Sequence, residues 1–317
     1  LTSDTELEIS KSIGLGIFGF ADVFNKLQPD LIVVLGDRFE IFSAVSAAMI
    51  AKIPVAHLHG GEATEGLIDE PIRHSITKMS HLHFAATDEY RNRIIQLGEQ
   101  PDRVFNVGGL GIDNIIKLKL LSKADFENAI NFELGEKNIL ITFHPVTLEK
   151  STSEIQFQAL LDSISELRNT KIIFTKANSD TDGRVINSMI DDYVAKHDNT
   201  IAFTSMGQLN YLSALQFMDA VVGNSSSGLI EAPSFKIGTI NIGDRQKGRI
   251  KTDSVISCLP KKSNIDSAFN KMYSKEFQDI LDKVENAYGK GGASKEILNI
   301  IKGVSLHNII KKPFHDF

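Results

Sequence analysis

Asp37 and Arg38 stand directly after the apolar run Leu31–Leu35, where a charge is costly to bury unless it meets a partner or a ligand. Between Asp37 and His83 the chain carries five histidines (His57, His59, His74, His81, His83) and six acids (Asp37, Glu40, Glu62, Glu65, Asp69, Glu70). Carboxylates and imidazoles at that density suit proton transfer, as bases and as acids. Plainer uses exist for several of them. Asp37 could cap the helix that starts at Phe39, and Asp69 and Arg73, four apart, could pair on one helix face. His81 and His83 alternate about the start of a strand, so they point to opposite faces and cannot both line one site. His57 and His59 lack a third ligand at a recognisable spacing, and neither HExxH nor CxxC occurs, so no metal site is expected. No elbow motif presents a nucleophilic Ser or Cys.

The second half carries groups suited to a phosphate-bearing ligand. Gly223-Asn224-Ser225-Ser226-Ser227-Gly228 follows a strand-like run and opens a helix, leaving N–H groups and hydroxyls to meet an anion. A Ser-rich N-cap has the same sequence. Glu231, one turn on, could accept from ribose hydroxyls or be an ordinary exposed helix acid. Gly243-Asp244-Arg245-Gln246-Lys247-Gly248-Arg249 places three cations in a glycine-flanked loop, suited to a diphosphate or simply to solvent. His144-Pro145 puts an imidazole at a strand end.

These residues sit where strands give way to loops. Leu31–Leu35 and Pro54–Leu58 have the length and β-branched content of buried parallel strands, with a helix at Phe39–Lys52 between them. Ahead of them Ser10–Lys26 reads as an amphipathic helix loosened by Gly14, Gly16 and Gly19. After them the pattern gives a helix at Glu70–Met79, a strand at His83–Ala86, a helix at Asp88–Gln96 and a strand at Arg103–Val107. A glycine turn then opens a helix through Leu121, and the polar segment Ser122–Lys137 reads as a linker. A second alternation runs from strand Asn138–Phe143 through helix Asp182–Lys196 and helix Ser227–Pro233 to strand Ile237–Ile242. Helices near Ser263–Val284 and Ala293–Lys302 form a tail expected to face mostly solvent. The class is α/β: two Rossmann-like domains, each with a parallel sheet, facing each other across a cleft. Their expected bounds are 1–130 and 131–300, with a tail at 301–317 returning to the first domain.

Composition narrows the function. The chain has 317 residues, 42% of them apolar, enough for a sizeable core and two domains. A net charge of −6 without a Lys/Arg stripe argues against nucleic acid or an anionic membrane as partner. No apolar run approaches the ~20 residues that span a bilayer, and no signal peptide is visible. The single Cys258 excludes an intrachain disulfide framework and fits a reducing, cytoplasmic setting. The chain starts at Leu1, without a methionine and close to a helix-like segment, so a preceding segment is expected.

LGDRFE (Leu35–Glu40), HLHGGE (His57–Glu62), IDEPIRHSITKMSHLHF (Ile68–Phe84), FHPVT (Phe143–Thr147), GNSSSGLIEAP (Gly223–Pro233) and NIGDRQKGRI (Asn241–Ile250) together resemble the hydrolysing UDP-N-acetylglucosamine 2-epimerases of bacterial sialic-acid and related pathways. The resemblance runs through essentially the whole chain. It implies a GT-B-like fold, a UDP-sugar substrate held mainly by the C-terminal domain, and a homodimer or homotetramer. It also implies a reaction that uses neither metal nor cofactor. The proton on carbon 2 leaves as UDP departs from carbon 1, giving a glycal. Water then adds with inverted configuration at carbon 2, releasing N-acetylmannosamine and UDP. Asp37 and Asp69 match positions of catalytic acids, and either His59 or Glu62 takes a further proton-transfer role. Arg38, His144, Ser225, Ser226, Glu231 and Arg245 match UDP-contacting positions, with His144 also counted as catalytic. Ser205 is placed beside the uracil, and Arg73 with the substrate-binding group. Leu35 replaces a histidine, so that residue's role does not carry over. The family's N-terminal strand and GTR loop, roughly the first sixty residues, have no counterpart here. Three alternatives stay open: the same reaction on a UDP-linked 2,4-diacetamido-2,4,6-trideoxyhexose, a GT-B glycosyltransferase, and a non-catalytic UDP-sugar-binding protein.

Overall fold

The computed structural model describes residues 5–65, 67–146, 152–177 and 183–316. Thr147 of the FHPVT motif and Asp182, where a helix is expected to begin, lie outside the described residues. The chain divides into two compact units, Leu1–Asp113 with Tyr288–Phe317, and Asn114–Ala287.

In the first unit Thr5 caps helix α1 (Glu6–Leu27), which leads to strand β1 (Ile32–Leu35), helix α2 (Phe39–Ile50) and strand β2 (Val55–Leu58). Helix α3 (Asp69–Met79), strand β3 (Leu82–Ala85), helix α4 (Asp88–Gln96) and strand β4 (Val104–Asn106) follow, and helix α5 (Leu110–Lys117) begins in this unit and ends in the second. The four strands are parallel, in the order β1-β2-β3-β4. Phe24, Val34, Val45, Ala48, Val55 and Ile76 pack together in one core; Ala56, Leu58, Leu82 and Phe84 pack in another. Alternation along β2 thus separates two buried layers, as a strand covered on both faces requires. The edge strand β1, expected to be buried as well, is covered on one face only: Val34 is buried, whereas Val33 and Leu35 are 53% and 54% exposed. Gly16 does not loosen α1: a Cβ there would lie 2.8 Å from Ser43 Cβ, so the glycine lets α1 approach α2. Leu35 pairs with Leu58, so the loops after β1 and β2 leave the sheet side by side.

The second unit contains helix α6 (Lys123–Ile130), strand β5 (Lys137–Thr142), helix α7 (Ser153–Ile164), strand β6 (Thr170–Thr175), helix α8 (Gly183–Val194) and strand β7 (Thr200–Phe203). It continues with helix α9 (Gly207–Leu215), strand β8 (Ala220–Gly223), helix α10 (Ser227–Ile230), strands β9 (Gly238–Ile242) and β10 (Val255–Cys258), and helices α11 (Lys262–Met272) and α12 (Lys275–Leu281). All six strands are parallel, in the order β10-β9-β8-β5-β6-β7. From β5 the chain builds outward through β6 and β7, then returns to lay β8 on the other side of β5. The reversal lies between β5 and β8, and an open parallel sheet offers its ligand crevice at the strand ends beside such a reversal. Ile139, Ile141, Phe143, Ile172, Phe174 and Val222 fill one layer; Leu140, Ile173 and Val221 fill the other.

Further expectations change. The linker at Ser122–Lys137 is largely helical, because Ser122 caps α6 and Phe126 is fully buried. The single helix at Ser263–Val284 breaks at Tyr273 and Ser274, where the Ser274 side chain accepts from Phe277 N–H and caps a new helix. The tail is not mostly solvent-facing: helix α13 (Ala293–Gly303) buries Ala293 and Ile297 with Leu58 and Phe84 of the first unit. The division therefore falls at Asp113 and Ala287 rather than at 130 and 300. Leu118 and Leu121 join the second unit's core, and Asp113 ties α13 into the first by accepting from the N–H groups of Gly292, Ala293 and Ser294 at 2.6, 3.0 and 2.8 Å. No helix among the described residues is long and apolar enough to cross a membrane.

Candidate functional site

In the first unit the groups gather around Arg73. The α3 pattern places this guanidinium inside the fold, 1% exposed, where it must be hydrogen-bonded on all sides. One terminal nitrogen donates to Glu62 O at 3.0 Å and to Glu70 Oε2 at 2.8 Å. The other donates to Thr64 Oγ1 at 3.0 Å and to Asp37 Oδ2. Glu70 also accepts from Thr64 N–H at 2.5 Å and from His74 Nε2 at 3.1 Å. Burial opposes ionisation of Glu70, but the bonds from His74 and Thr64 outweigh it and hold the carboxyl below its ordinary range. Asp37 is thus no helix cap: α2 has Arg38 at that position and no side-chain capping bond.

Beside this group His59 has φ +63°, an uncommon conformation for a residue with a Cβ, and its ring bridges two partners. Leu110 N–H donates to Nε2 at 3.3 Å, so Nδ1 carries the proton and donates to Glu62 Oε1 at 2.7 Å. The His59 side chain is 17% exposed and that of Glu62 4%, so the ring is the more accessible member. His57 lies deeper. Its Nε2 donates to Gly36 O at 2.8 Å, and burial pushes it down to about 3, so it is neutral. His81 and His83 are buried away from this group: His81 accepts from Val55 N–H at 3.1 Å, and His83 pairs with Glu99 at 3.0 Å.

In the second unit the groups stand at the reversal between β5 and β8. Gly223 has φ +129°, and a Cβ there would lie 2.0 Å from Thr142 O, so only glycine lets the β8 loop come this close to β5. That approach sets Asn224 against His144, and Arg245 donates to Asn224 O at 3.2 Å. Tyr211, on α9, donates to Ser227 Oγ at 2.6 Å under the serine run. Burial, with the Glu231 charge nearby, pushes the phenol above its ordinary range and keeps it a donor. The expected helix Ser227–Pro233 is only the four-residue α10 followed by a 3-10 turn at Ala232–Phe235, since Pro233 has no N–H for a longer ladder. The loop's own donors, more than a helix dipole, are therefore what an anion would meet.

The structure brings together Asp37, Glu62, Arg73 and His59 in one unit, and His144, Ser225 and Arg245 around one turn in the other. Asp69 is buried in the first turn of α3, Arg38 lies over the Phe39 ring at 5.6 Å, and Ser205 accepts from Gly207 N–H at 3.2 Å; these three stand outside the bonds just described. Arg73, expected in the substrate-binding group, bonds Asp37 and Glu70 from inside the fold. Sequence reasoning missed Glu70 and Thr64 as partners of Arg73, though Glu70 sits three residues before it on the helix. It also passed over Asn224 and Tyr211, which do nothing visible without the fold. Among the described residues no group of three or more His, Cys, Asp or Glu side chains is placed to hold a metal ion.

The family model for UDP-N-acetylglucosamine 2-epimerase matches residues 1–302. A Campylobacter jejuni protein named GDP/UDP-N,N'-diacetylbacillosamine 2-epimerase (hydrolyzing) is 42% identical over 318 residues, 100% of this chain and 82% of the relative. The polysialic acid biosynthesis protein P7 of Escherichia coli is 41% identical, over 99% of this chain and 80% of the relative. A Legionella pneumophila UDP-N,N'-diacetylbacillosamine 2-epimerase (hydrolyzing) is 35% identical, over 95% of this chain and 78% of the relative. Among solved structures, the UDP-GlcNAc 2-epimerase of Neisseria meningitidis bound to UDP-GlcNAc shares the fold with a TM-score of 0.81 at 22% identity, covering 93% of this chain and 82% of that one. Two parallel α/β sheets, acids and imidazoles at the strand ends of one and an anion-suited turn at the reversal of the other accord with these matches, and the chain belongs to the UDP-N-acetylglucosamine 2-epimerase family, as an enzyme of its hydrolysing UDP-sugar type.

Proposed function

We propose that the chain hydrolyses and epimerises a UDP-linked 2-acetamido sugar that carries a second acetamido group at carbon 4, a 2,4-diacetamido-2,4,6-trideoxyhexose. The second unit recognises UDP through the serine run, His144, Glu231 and Arg245, while the first supplies the proton-transfer groups. The observation that carries this division is the reversal of strand order between β5 and β8, which puts His144 and Ser225 at the one place where a six-stranded parallel sheet opens a crevice.

In the first step a base of the first unit takes the proton from carbon 2 as the bond from carbon 1 to the UDP oxygen breaks, leaving a glycal. In the second, water adds its oxygen to carbon 1, and a proton returns to carbon 2 from the opposite face. Asp37, held by Arg73, is one proton-transfer group. The His59–Glu62 pair is the other: the more exposed imidazole meets the sugar through Nε2, giving up its 3.3 Å bond from Leu110 N–H, and the buried carboxylate fixes its tautomer, as a carboxylate orients a catalytic imidazole elsewhere. Cations and hydroxyls on the departing diphosphate lower the cost of the leaving charge.

The sugar assignment is supported by two relatives, 42% and 35% identical, whose names specify diacetylbacillosamine. A second reading, UDP-N-acetylglucosamine to N-acetylmannosamine, is supported by the 41% identical relative named for polysialic acid biosynthesis. Incubation with each UDP-sugar in deuterated water separates them. The expected result is UDP with a free 2-epimerised diacetamido sugar deuterated at carbon 2. Turnover of UDP-N-acetylglucosamine alone would replace the first reading by the second, and product without deuterium would remove the glycal route.

A further inference from the structure

Asn224 is 1% exposed, and every polar atom it owns is engaged. Its side-chain amide lies along the His144 backbone as a neighbouring strand would: Oδ1 accepts from His144 N–H at 2.7 Å and Nδ2 donates to His144 O at 2.8 Å. Its own N–H donates to Thr142 O at 3.1 Å. Its carbonyl accepts from Gln246 Nε2 at 2.8 Å and from Arg245 at 3.2 Å. One residue therefore joins the loops leaving β5, β8 and β9, beside the reversal of strand order. Beyond the strand ends no ladder fixes these loops, so their mutual placement depends on such bonds.

We propose that Asn224 is a positioning residue that sets His144 and Arg245 for the nucleotide diphosphate. This rests on the reading that the second unit holds UDP. The chemistry requires an amide. At neutral pH a carboxamide presents a donor and an acceptor side by side, matching both polar groups of a peptide; an ionised carboxylate would set lone pairs against His144 O. Removing the side chain would leave the buried N–H and C=O of His144 without these partners.

Calorimetric titration of UDP into the wild type, Asn224→Asp and Asn224→Ala tests this, at a temperature well below each melting midpoint. Both variants are expected to bind UDP at least about tenfold more weakly near neutral pH, comparable with Arg245→Ala. For N224D the loss relative to wild type should shrink as pH falls from about 8 to about 5.5, because protonation of a buried carboxyl restores an O–H donor facing His144 O. A merely structural role lowers the melting midpoint but leaves the affinity of the folded protein, and its pH profile, as in the wild type. Should Asn224→Ala fail to fold, N224D and its pH profile decide. Wild-type affinity in the folded variants overturns this inference alone, whereas a wild type that does not bind UDP overturns the UDP assignment and this inference with it.

Discussion

Arg73 shows how one side chain can set the charge of a site without being exposed to it. Its two terminal nitrogens reach Asp37, 36 residues away in sequence, and Glu70, three residues away. Replacement by Met would keep much of the volume but leave two carboxylates without their shared cation. Arg73→Met is therefore expected to lose about 3 kcal/mol of unfolding free energy in urea. A loss under about 0.5 kcal/mol would mean that solvent already screens the pair. Asp37→Asn is the complementary change, since the amide fills the same space and can still accept from Arg73 through its oxygen. It is expected to fold and bind UDP as the wild type does while turnover falls by about 10²–10⁴. Wild-type turnover would take Asp37 out of the mechanism. Helical spacing suggested an acid of the same helix face as partner for Arg73, but named Asp69 where Glu70 makes the bond; the Asp37 contact was not readable, because it depends on β1 and β2 being in register. Nor did sequence show which member of the His59–Glu62 pair is the more exposed; that is decided by packing, which leaves the imidazole 17% and the carboxylate 4% exposed.

Periodicity located most of the elements that carry the site. Apolar runs announced β1, β2, β5 and β8, and the polar residues after each marked the loops, but only the last three are buried on both faces: β1 lies at a sheet edge with Val33 and Leu35 exposed. What it misjudged were places where a short polar segment is decided by a few contacts. Ser122–Lys137 has the composition of a linker, yet Ser122 and the buried Phe126 make it helix α6. The run after Ser227 has the look of a regular helix, yet Pro233 stops it after one turn. The turn between β8 and α10 gives the sharpest test at this scale. Gly223→Ala would drive a methyl into Thr142 O and force a φ that L side chains avoid. A loss of about 2 kcal/mol or more is expected in thermal or urea unfolding, together with weaker UDP binding. Unchanged stability and affinity would show that the β5 and β8 ends can separate at no cost.

Across the molecule, the first unit concentrates groups whose protonation opposes folding. Burial holds His57 at about 3 and His81 at about 4, both below an ordinary 6.5. They are neutral in the fold but bind protons once unfolded, so their contribution is complete above pH 6.5 and is lost as pH falls toward those values. Glu99, despite burial, is held at about 2 by His83, Lys312 and Lys78, so its contribution is lost as pH falls from 4.5 toward 2. The melting midpoint is expected to be level above about pH 7, to decline from about pH 6.5, and to decline further below about pH 4.5. A midpoint unchanged between pH 7 and pH 5 would mean that the histidines are not sealed as their burial indicates. Sequence showed five histidines crowded together but not that they divide between two partly exposed rings, His59 and His74, and three buried ones, His57, His81 and His83, because alternation gives a face and not its depth.

The Asp113 carboxylate that receives the first turn of α13 has a consequence for how the protein is made. The whole of the second unit, Asn114–Ala287, is synthesised before residues 288–317, and until those have emerged the earlier-made unit waits with Leu58 and Phe84 lacking the cover of α13 on one layer. Order of synthesis and order of maturation are thus reversed, and a released chain that stops at Ala287 should attract chaperones through its beginning and not through its end.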